Sequence, residues 1–137
     1  MLQSLAKMKL MPGTQEIAEA LDALGVPRGL ITRNVQSSVA HFHATVFSPP
    51  PFNPALARCF TPYKPAPDSL LHICSTWGIE PAHVVMIGDS AKDDIVCGNR
   101  YVTTLRTSHR FLHFFSTCQL GDSECFVLVC TNSCVQV

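Results

Sequence analysis

The sequence predicts an α/β fold with a parallel, doubly wound sheet and helices on both of its faces. Three observations lead to this prediction. Helical and strand-like patterns alternate with short connections between residues 11 and 100. The segment "VVMI" at 84–87 is entirely apolar, which is typical of a strand covered on both sides. Both predicted strands, "LIT" and "VVMI", are followed by polar residues, as expected where the carboxyl ends of parallel strands form a ligand site.

The first helix–strand unit begins after the turn "PG" at 12–13. Thr14 is a plausible N-cap, and Gly25 ends a helix whose apolar face carries Ile17, Leu21 and Leu24. The short apolar run "GLIT" at 29–32 predicts a strand.

A second helical pattern follows that strand. Asn34 is its candidate cap, and Val35, Val39 and Phe42 repeat at helical spacing. Residues 48–67 hold seven of the ten prolines, which excludes a continuous helix or a central strand there and predicts a stiff loop.

The second unit repeats the order of the first. Apolar residues in "DSLLHICSTWG" predict a helix ending at Gly78, the strand "VVMI" follows, and "AKDDIVCGN" returns to helical composition with Gly98 as its stop. Residues 101–137 have no clean period, apart from the β-prone run "FVLVC", and carry four cysteines. We therefore divide the chain into a core at 1–100 and a divergent, cysteine-rich segment at 101–137.

Composition narrows the classes of partner and compartment. The 137 residues suit one domain, and ten basic against ten acidic residues give zero net charge and a pI near 7.0. Neither a nucleic-acid partner nor a membrane surface is expected from this balance. No apolar run reaches the roughly 18 residues of a membrane helix, no leader pattern opens the sequence, and the seven cysteines form no CxxC pair. We expect reduced thiols and an intracellular, cytoplasmic protein, with an organelle as the alternative.

Candidate chemistry gathers where the two strands end. Asp89 follows "VVMI" and Gly88, and carboxylates in this position suit Mg²⁺, although Asp89 and Ser90 could equally cap the next helix. Lys64 stands in the proline-framed "YKPAP", where a fixed ammonium could hold a phosphate, or could simply be a solvated loop lysine. Thr32 offers a hydroxyl, and the amides of the residues after it could form a small anion nest, or Thr32 could simply end the strand.

Taken together, these motifs resemble the haloacid dehalogenase superfamily, in its phosphoglycolate-phosphatase-like branch. The segments that carry the resemblance are "PGTQEIAEALDALGVPRGLITRN", "YKPAPDSLLHICSTWGI" and "VVMIGDSAKDDIVCGN". It implies a partial Rossmann-like core in which Thr32, Arg33, Asn34 and Lys64 bind phosphate. Thr32, Lys64 and Asp89 would be the catalytic set.

For the metal, the resemblance implies Mg²⁺ held by Asp89 and Asp93. Asp93 takes the last position of GDSxxD, and the neighbouring Asp94 matches that pattern less well. The implied substrate is a small phosphorylated metabolite, hydrolysed through an aspartyl-phosphate.

The sequence departs from the family at its nucleophile. Family members begin with a strand ending in DxDxT, usually followed by a cap domain, and this sequence has neither. We expect a truncated form, a splice variant for example, with impaired or no catalysis and a sheet lacking its central first strand. The alternatives are a non-catalytic binding or regulatory module that pairs with a protein partner through an exposed sheet edge, and an unstable product without function.

Weaker signals compete with this interpretation. His109 and His113, with the four late cysteines, could be imagined as a zinc site, but the close cysteine pairs of such sites are missing. Cys59 has no recognisable base at a fixed spacing.

Overall fold

The computed structural model describes residues 8–10, 13–88, 91–99, 101, 103–106, 126–130 and 135–136. Within them the elements follow in the order β1 (Lys9–Leu10), α1 (Thr14–Ala23), β2 (Arg28–Ile31), α2 (Gln36–His41) with a π-helical turn (Phe42–Val46), β3 (Ala55–Leu56), α3 (Asp68–Trp77), a 3₁₀ turn (Pro81–His83), β4 (Val84–Gly88), a second π-helical turn (Ala91–Ile95), α4 (Val96–Gly98), β5 (Thr103–Arg106), β6 (Phe126–Cys130) and β7 (Val135–Gln136). The predicted α/β class is confirmed.

The main sheet has five strands in the order β3-β2-β6-β4-β5, and every neighbouring pair is parallel. The short strands β1 and β7 pair antiparallel in a separate two-stranded sheet. The edge position of β3 fits its place in the proline-rich loop, because proline cannot donate to a central ladder.

The middle of the sheet is occupied by a strand from the cysteine-rich segment. The strand β6, which is the run "FVLVC", lies between β2 and β4, with Leu128 opposite Gly29 on one side and Met86 on the other. The strands β2 and β4 are therefore joined through β6. A strand distant in sequence thus occupies the centre of the sheet, in place of the central first strand that we expect this sequence to lack. The division of the chain at residue 100 stays a prediction.

The alternation of side chains along the strands builds two apolar layers. Leu30 and Ile87 face a cluster with α1 and α2, whereas their neighbours Ile31 and Met86 face a second cluster with α3 and α4. Successive residues of a strand point to opposite faces, so both faces of the sheet are covered by helices. No helix in the described part of the chain is both long and apolar enough to cross a membrane.

The helix boundaries differ slightly from the sequence prediction. The N-cap of α1 is Gly13, in the left-handed region at φ 88°, and Thr14 is already helical. The helix ends at Ala23, so Leu24 lies beyond it and is 61% exposed instead of packing with Leu21. The residue before α2 is Val35, and Asn34 lies one position further out.

A buried arginine anchors the start of β2 to the loops around it. Arg28 donates to both carboxylate oxygens of Asp22 at 2.8 and 2.9 Å and to the carbonyl oxygen of Pro50 at 2.8 Å. Its guanidinium lies 5.5 and 4.8 Å from the ring centroids of Phe47 and Phe52. These contacts fix the proline-rich loop against the amino end of the sheet, away from the edge where the polar residues gather.

Substituting Leu128 tests whether β6 is integral to the sheet. Leu128→Pro removes a backbone donor from a strand paired on both sides, so we expect it to lower the free energy of unfolding more than Leu128→Ala does. Leu128→Ala keeps that donor and is the matched control. Equal urea-denaturation midpoints for the two variants would contradict the central position of β6.

The stability should also depend on the protonation of His43. Burial, and secondly the charge of Arg28, lower the pKa of His43 below 6.5, and its Nε2 accepts a hydrogen bond from the Phe52 amide at 3.3 Å. Because the unfolded chain binds the proton more readily, this contribution is complete above pH 6.5 and is lost as the pH falls through the folded pKa. Between pH 7.5 and 5.5, urea denaturation should show that the free energy of unfolding falls more for the wild type than for His43→Gln. Equal decreases in the two proteins would contradict this prediction.

Candidate functional site

Thr32 directly follows β2 at the carboxyl edge of the sheet and is buried. Its amide donates to the carbonyl oxygen of Leu56 at 2.9 Å, and its Oγ1 accepts from the Asn34 amide at 3.1 Å. The Asn34 carbonyl oxygen in turn accepts from the Arg58 amide at 2.9 Å. The loop after β2 is thus held by backbone contacts, and the Asn34 amide, expected in the anion nest, is directed at Thr32.

A buried ion pair lies beneath this edge. The Lys64 ammonium and the Asp94 carboxylate are both fully excluded from solvent, with Nζ and Oδ1 2.5 Å apart. Lysine and aspartate are almost never completely buried unless paired. The proline-framed loop therefore directs Lys64 inward, and the competing interpretation of a solvated loop lysine is wrong.

Gly88 makes room for this ion pair at the end of β4. A Cβ atom at Gly88 would collide with the Cβ, Cγ and Oδ2 atoms of Asp94. The carboxylate thus packs directly on the strand backbone, which requires a residue without a side chain. This gives the glycine of the GDS motif a steric reason, separate from turn formation.

Cys97 lies next to the ion pair, although none of the sequence motifs discussed above indicates a role for it. Burial raises the pKa of its thiol to about 11, against the opposing effect of the Lys64 charge, and its Sγ donates to the Ala66 carbonyl oxygen at 3.3 Å. At neutral pH this thiol is protonated and a poor nucleophile. One sequence feature that could have indicated the burial of Cys97 is its place in the helical pattern after the aspartates.

Arg33 and Asp93 form a second, more exposed ion pair. Arg33 Nη2 lies 2.9 Å from Asp93 Oδ1, with side chains 40% and 20% exposed. The same nitrogen donates to the carbonyl oxygen of Lys64 at 2.8 Å. The structure therefore brings the predicted residues together in two pairs, Lys64 with Asp94 and Arg33 with Asp93.

The acids of the expected magnesium site are divided between described and undescribed residues. Asp89 and Ser90 lie outside the described residues, whereas Asp93 and Asp94 both follow β4 in the π-helical turn. Among the described residues, no group of three or more His, Cys, Asp or Glu side chains is placed to hold a metal ion. The carboxylates present are nevertheless the hard oxygen donors that Mg²⁺ prefers.

The two neighbouring aspartates should differ sharply in their effect on stability. Asp94→Asn removes the negative charge facing a buried ammonium and should lower the free energy of unfolding by about 3–5 kcal/mol. Asp93→Asn affects a partly exposed pair and should lower the free energy of unfolding by about 1 kcal/mol or less. Equal losses in urea denaturation would show that the pair Lys64–Asp94 does not have the buried character described.

Comparisons with known proteins identify the family of the chain. The family model of haloacid dehalogenase-like hydrolases matches residues 2–99. A haloacid dehalogenase-like hydrolase domain-containing protein of Arabidopsis thaliana is 55% identical over 72% of this chain and 39% of its own length. An uncharacterized hydrolase of Saccharomyces cerevisiae is 36% identical over 66% of this chain and 43% of its own length.

The phosphoglycolate phosphatase of Psychrobacter arcticus is 40% identical over 46% of this chain and 27% of its own length. The chain thus spans less than half the length of these relatives, and no solved structure matches it significantly. The family model covers residues 2–99, which is most of the chain. The chain therefore belongs to the haloacid dehalogenase-like hydrolase family.

Proposed function

We propose that this chain forms the phosphate- and Mg²⁺-binding half of a hydrolase site for small phosphomonoesters. The observation that carries the proposal is the buried ion pair of Lys64 and Asp94 at the carboxyl edge of the sheet. A buried pair of this kind contributes little net stability compared with apolar residues of similar volume. A functional reason for keeping it at this edge is therefore favoured.

Each proposed role follows from the chemistry of the side chain. Thr32 would donate its hydroxyl proton to a phosphate oxygen, because it is buried at the carboxyl edge of the sheet, at the end of β2. Lys64 would offset the negative charge of the phosphate. Asp89 would hold Mg²⁺ together with one of the acids of the π-helical turn, and the metal would supply charge neutralisation of the phosphoryl group.

Of the two acids in that turn, we favour Asp94 as the one inside the site. Asp94 packs on Gly88, the residue immediately before Asp89, whereas Asp93 is held by Arg33 at the rim. Asp93, which the spacing of the motif favours, remains the alternative ligand.

In this proposal the chain itself binds phosphate but does not hydrolyse a phosphomonoester. Haloacid dehalogenase-type hydrolysis passes through an aspartyl-phosphate, and this requires a carboxylate nucleophile at the site. The strand at the centre of the sheet, β6, has the sequence FVLVC and carries no carboxylate. Hydrolysis is accordingly proposed for a longer form of the protein.

Because β6 carries no carboxylate, a second candidate function is a non-catalytic binding or regulatory module. Such a module would contact a protein partner through a sheet edge, either β3 or β5. The proposed location of either form is intracellular, where thiols such as those of Cys59, Cys74 and Cys97, free among the described residues, are kept reduced.

Phosphate binding tests the proposal directly. Titrating inorganic phosphate in the presence of Mg²⁺, followed by ³¹P NMR, should give saturable binding that Thr32→Val weakens about tenfold through the lost hydrogen bond. Thr76→Val is the matched control, because Thr76 is exposed on α3 and its hydroxyl donates to the His72 carbonyl oxygen. The absence of saturable binding by the folded wild type would refute the proposed function.

Turnover distinguishes a half-site from a complete one. The folded chain with Mg²⁺ should not hydrolyse p-nitrophenyl phosphate above the level of an Asp89→Asn variant. Hydrolysis by the wild type that disappears in Asp89→Asn would mean that another group acts as the nucleophile.

A further inference from the structure

We propose that Arg33 is a positioning residue, which fastens the loop carrying Lys64 to the turn carrying Asp93 and Asp94 and thereby keeps Lys64 aligned at the site. This inference rests on the proposed phosphate-binding function. It assigns to Arg33 a task different from the direct phosphate contact that the sequence resemblance implies.

The first support is the set of contacts made by one nitrogen. Arg33 Nη2 donates to the carbonyl oxygen of Lys64 at 2.8 Å and to Asp93 Oδ1 at 2.9 Å. A guanidinium nitrogen of this type carries two N–H groups, which suffice for these two acceptors. Arg33 thus joins three segments: its own loop after β2, the proline-rich loop and the π-helical turn.

The second support is the neighbouring aromatic ring. The guanidinium carbon of Arg33 lies 5.3 Å from the ring centroid of Tyr63, the residue before Lys64. Stacking of a planar guanidinium on a ring restricts its orientation, and a lysine ammonium cannot reproduce that geometry. The contact holds Arg33 against the same loop whose carbonyl group it binds.

The third support is the position of the acceptors next to the buried pair. One acceptor is the backbone of Lys64 itself, and the other is the residue before Asp94. The side chains of Lys64 and Asp94 meet across the same two segments. Releasing Arg33 would remove a second, more exposed contact between those two segments.

The charge of Arg33 is also partly committed. Its guanidinium is paired with the Asp93 carboxylate, which reduces its attraction for an approaching phosphate. A positioning role therefore agrees with the observed contacts better than a direct one.

The accessibility of the Lys64 amine tests the proposal without any ligand. Native chain is treated with an N-hydroxysuccinimidyl acetate, and acetylation of each lysine is quantified by peptide mass spectrometry. The fully buried Lys64 should react slowly, and its rate is normalised to that of an added lysine-containing peptide. Arg33→Gln should raise the Lys64 rate about tenfold relative to that peptide, and Arg33→Lys should give an intermediate value.

Two controls separate a local effect from a general loss of stability. Arg58→Gln removes an exposed arginine of the proline-rich loop, and Val39→Ala creates a cavity in the apolar cluster on the α2 side of the sheet. Neither should raise the Lys64 rate. An unchanged rate in Arg33→Gln, or an equal rise in either control, would overturn the proposal.

Phosphate affinity then shows whether Arg33 acts through Lys64. With Mg²⁺ and inorganic phosphate as the probe, Arg33→Gln should weaken binding severalfold, and Arg33→Lys, with its intermediate acetylation rate, should weaken it less. A loss of affinity without increased acetylation of Lys64 would make Arg33 a direct ligand and refute the positioning role. Failure of the wild type to bind phosphate refutes the proposed function alone, because the acetylation result does not depend on phosphate.

Discussion

The constraint on which the site depends is the exclusion of water from two opposite charges. Lys64 and Asp94 come from different segments, and neither charge can be buried without the other. Their contact therefore determines where the proline-rich loop and the turn after β4 must lie. Gly88 leaves space for the carboxylate, and Arg33 bonds to the backbone of Lys64 and to the residue before Asp94.

The two aspartates show how adjacent residues of one type take different roles. Asp94 is fully buried against a lysine and a glycine, whereas Asp93 lies at the surface against an arginine. Both are paired with a cation, but only the buried pair is largely removed from screening by salt and solvent. The site therefore combines a fully buried ion pair with a second pair that is partly exposed to solvent.

Sequence patterns were sufficient for the local elements and for the residues at the carboxyl edge. The two helix–strand units and the placing of Thr32 and Lys64 depend on short-range periodicity and on proline, both of which are visible in the sequence. The preference for Asp93 over Asp94 came from counting positions in a motif. In the structure both acids lie in the π-helical turn at Ala91–Ile95, and the burial of Asp94 against Lys64 is a contact that motif spacing does not show. The position of β6 was not predictable either, because "FVLVC" has the composition of a strand but no local feature that names its neighbours.

The central position of β6 also has a consequence for how the chain reaches this state. During synthesis, β2 and β4 are both made before the strand that joins them, so each has an unpaired edge until β6 arrives. Pairing between segments so distant in sequence is slow, since a long loop must close before any hydrogen bond forms. Open parallel edges of this kind invite association between nascent chains. Shielding of those edges by chaperones on the growing polypeptide would therefore favour correct pairing of β6 over association between chains.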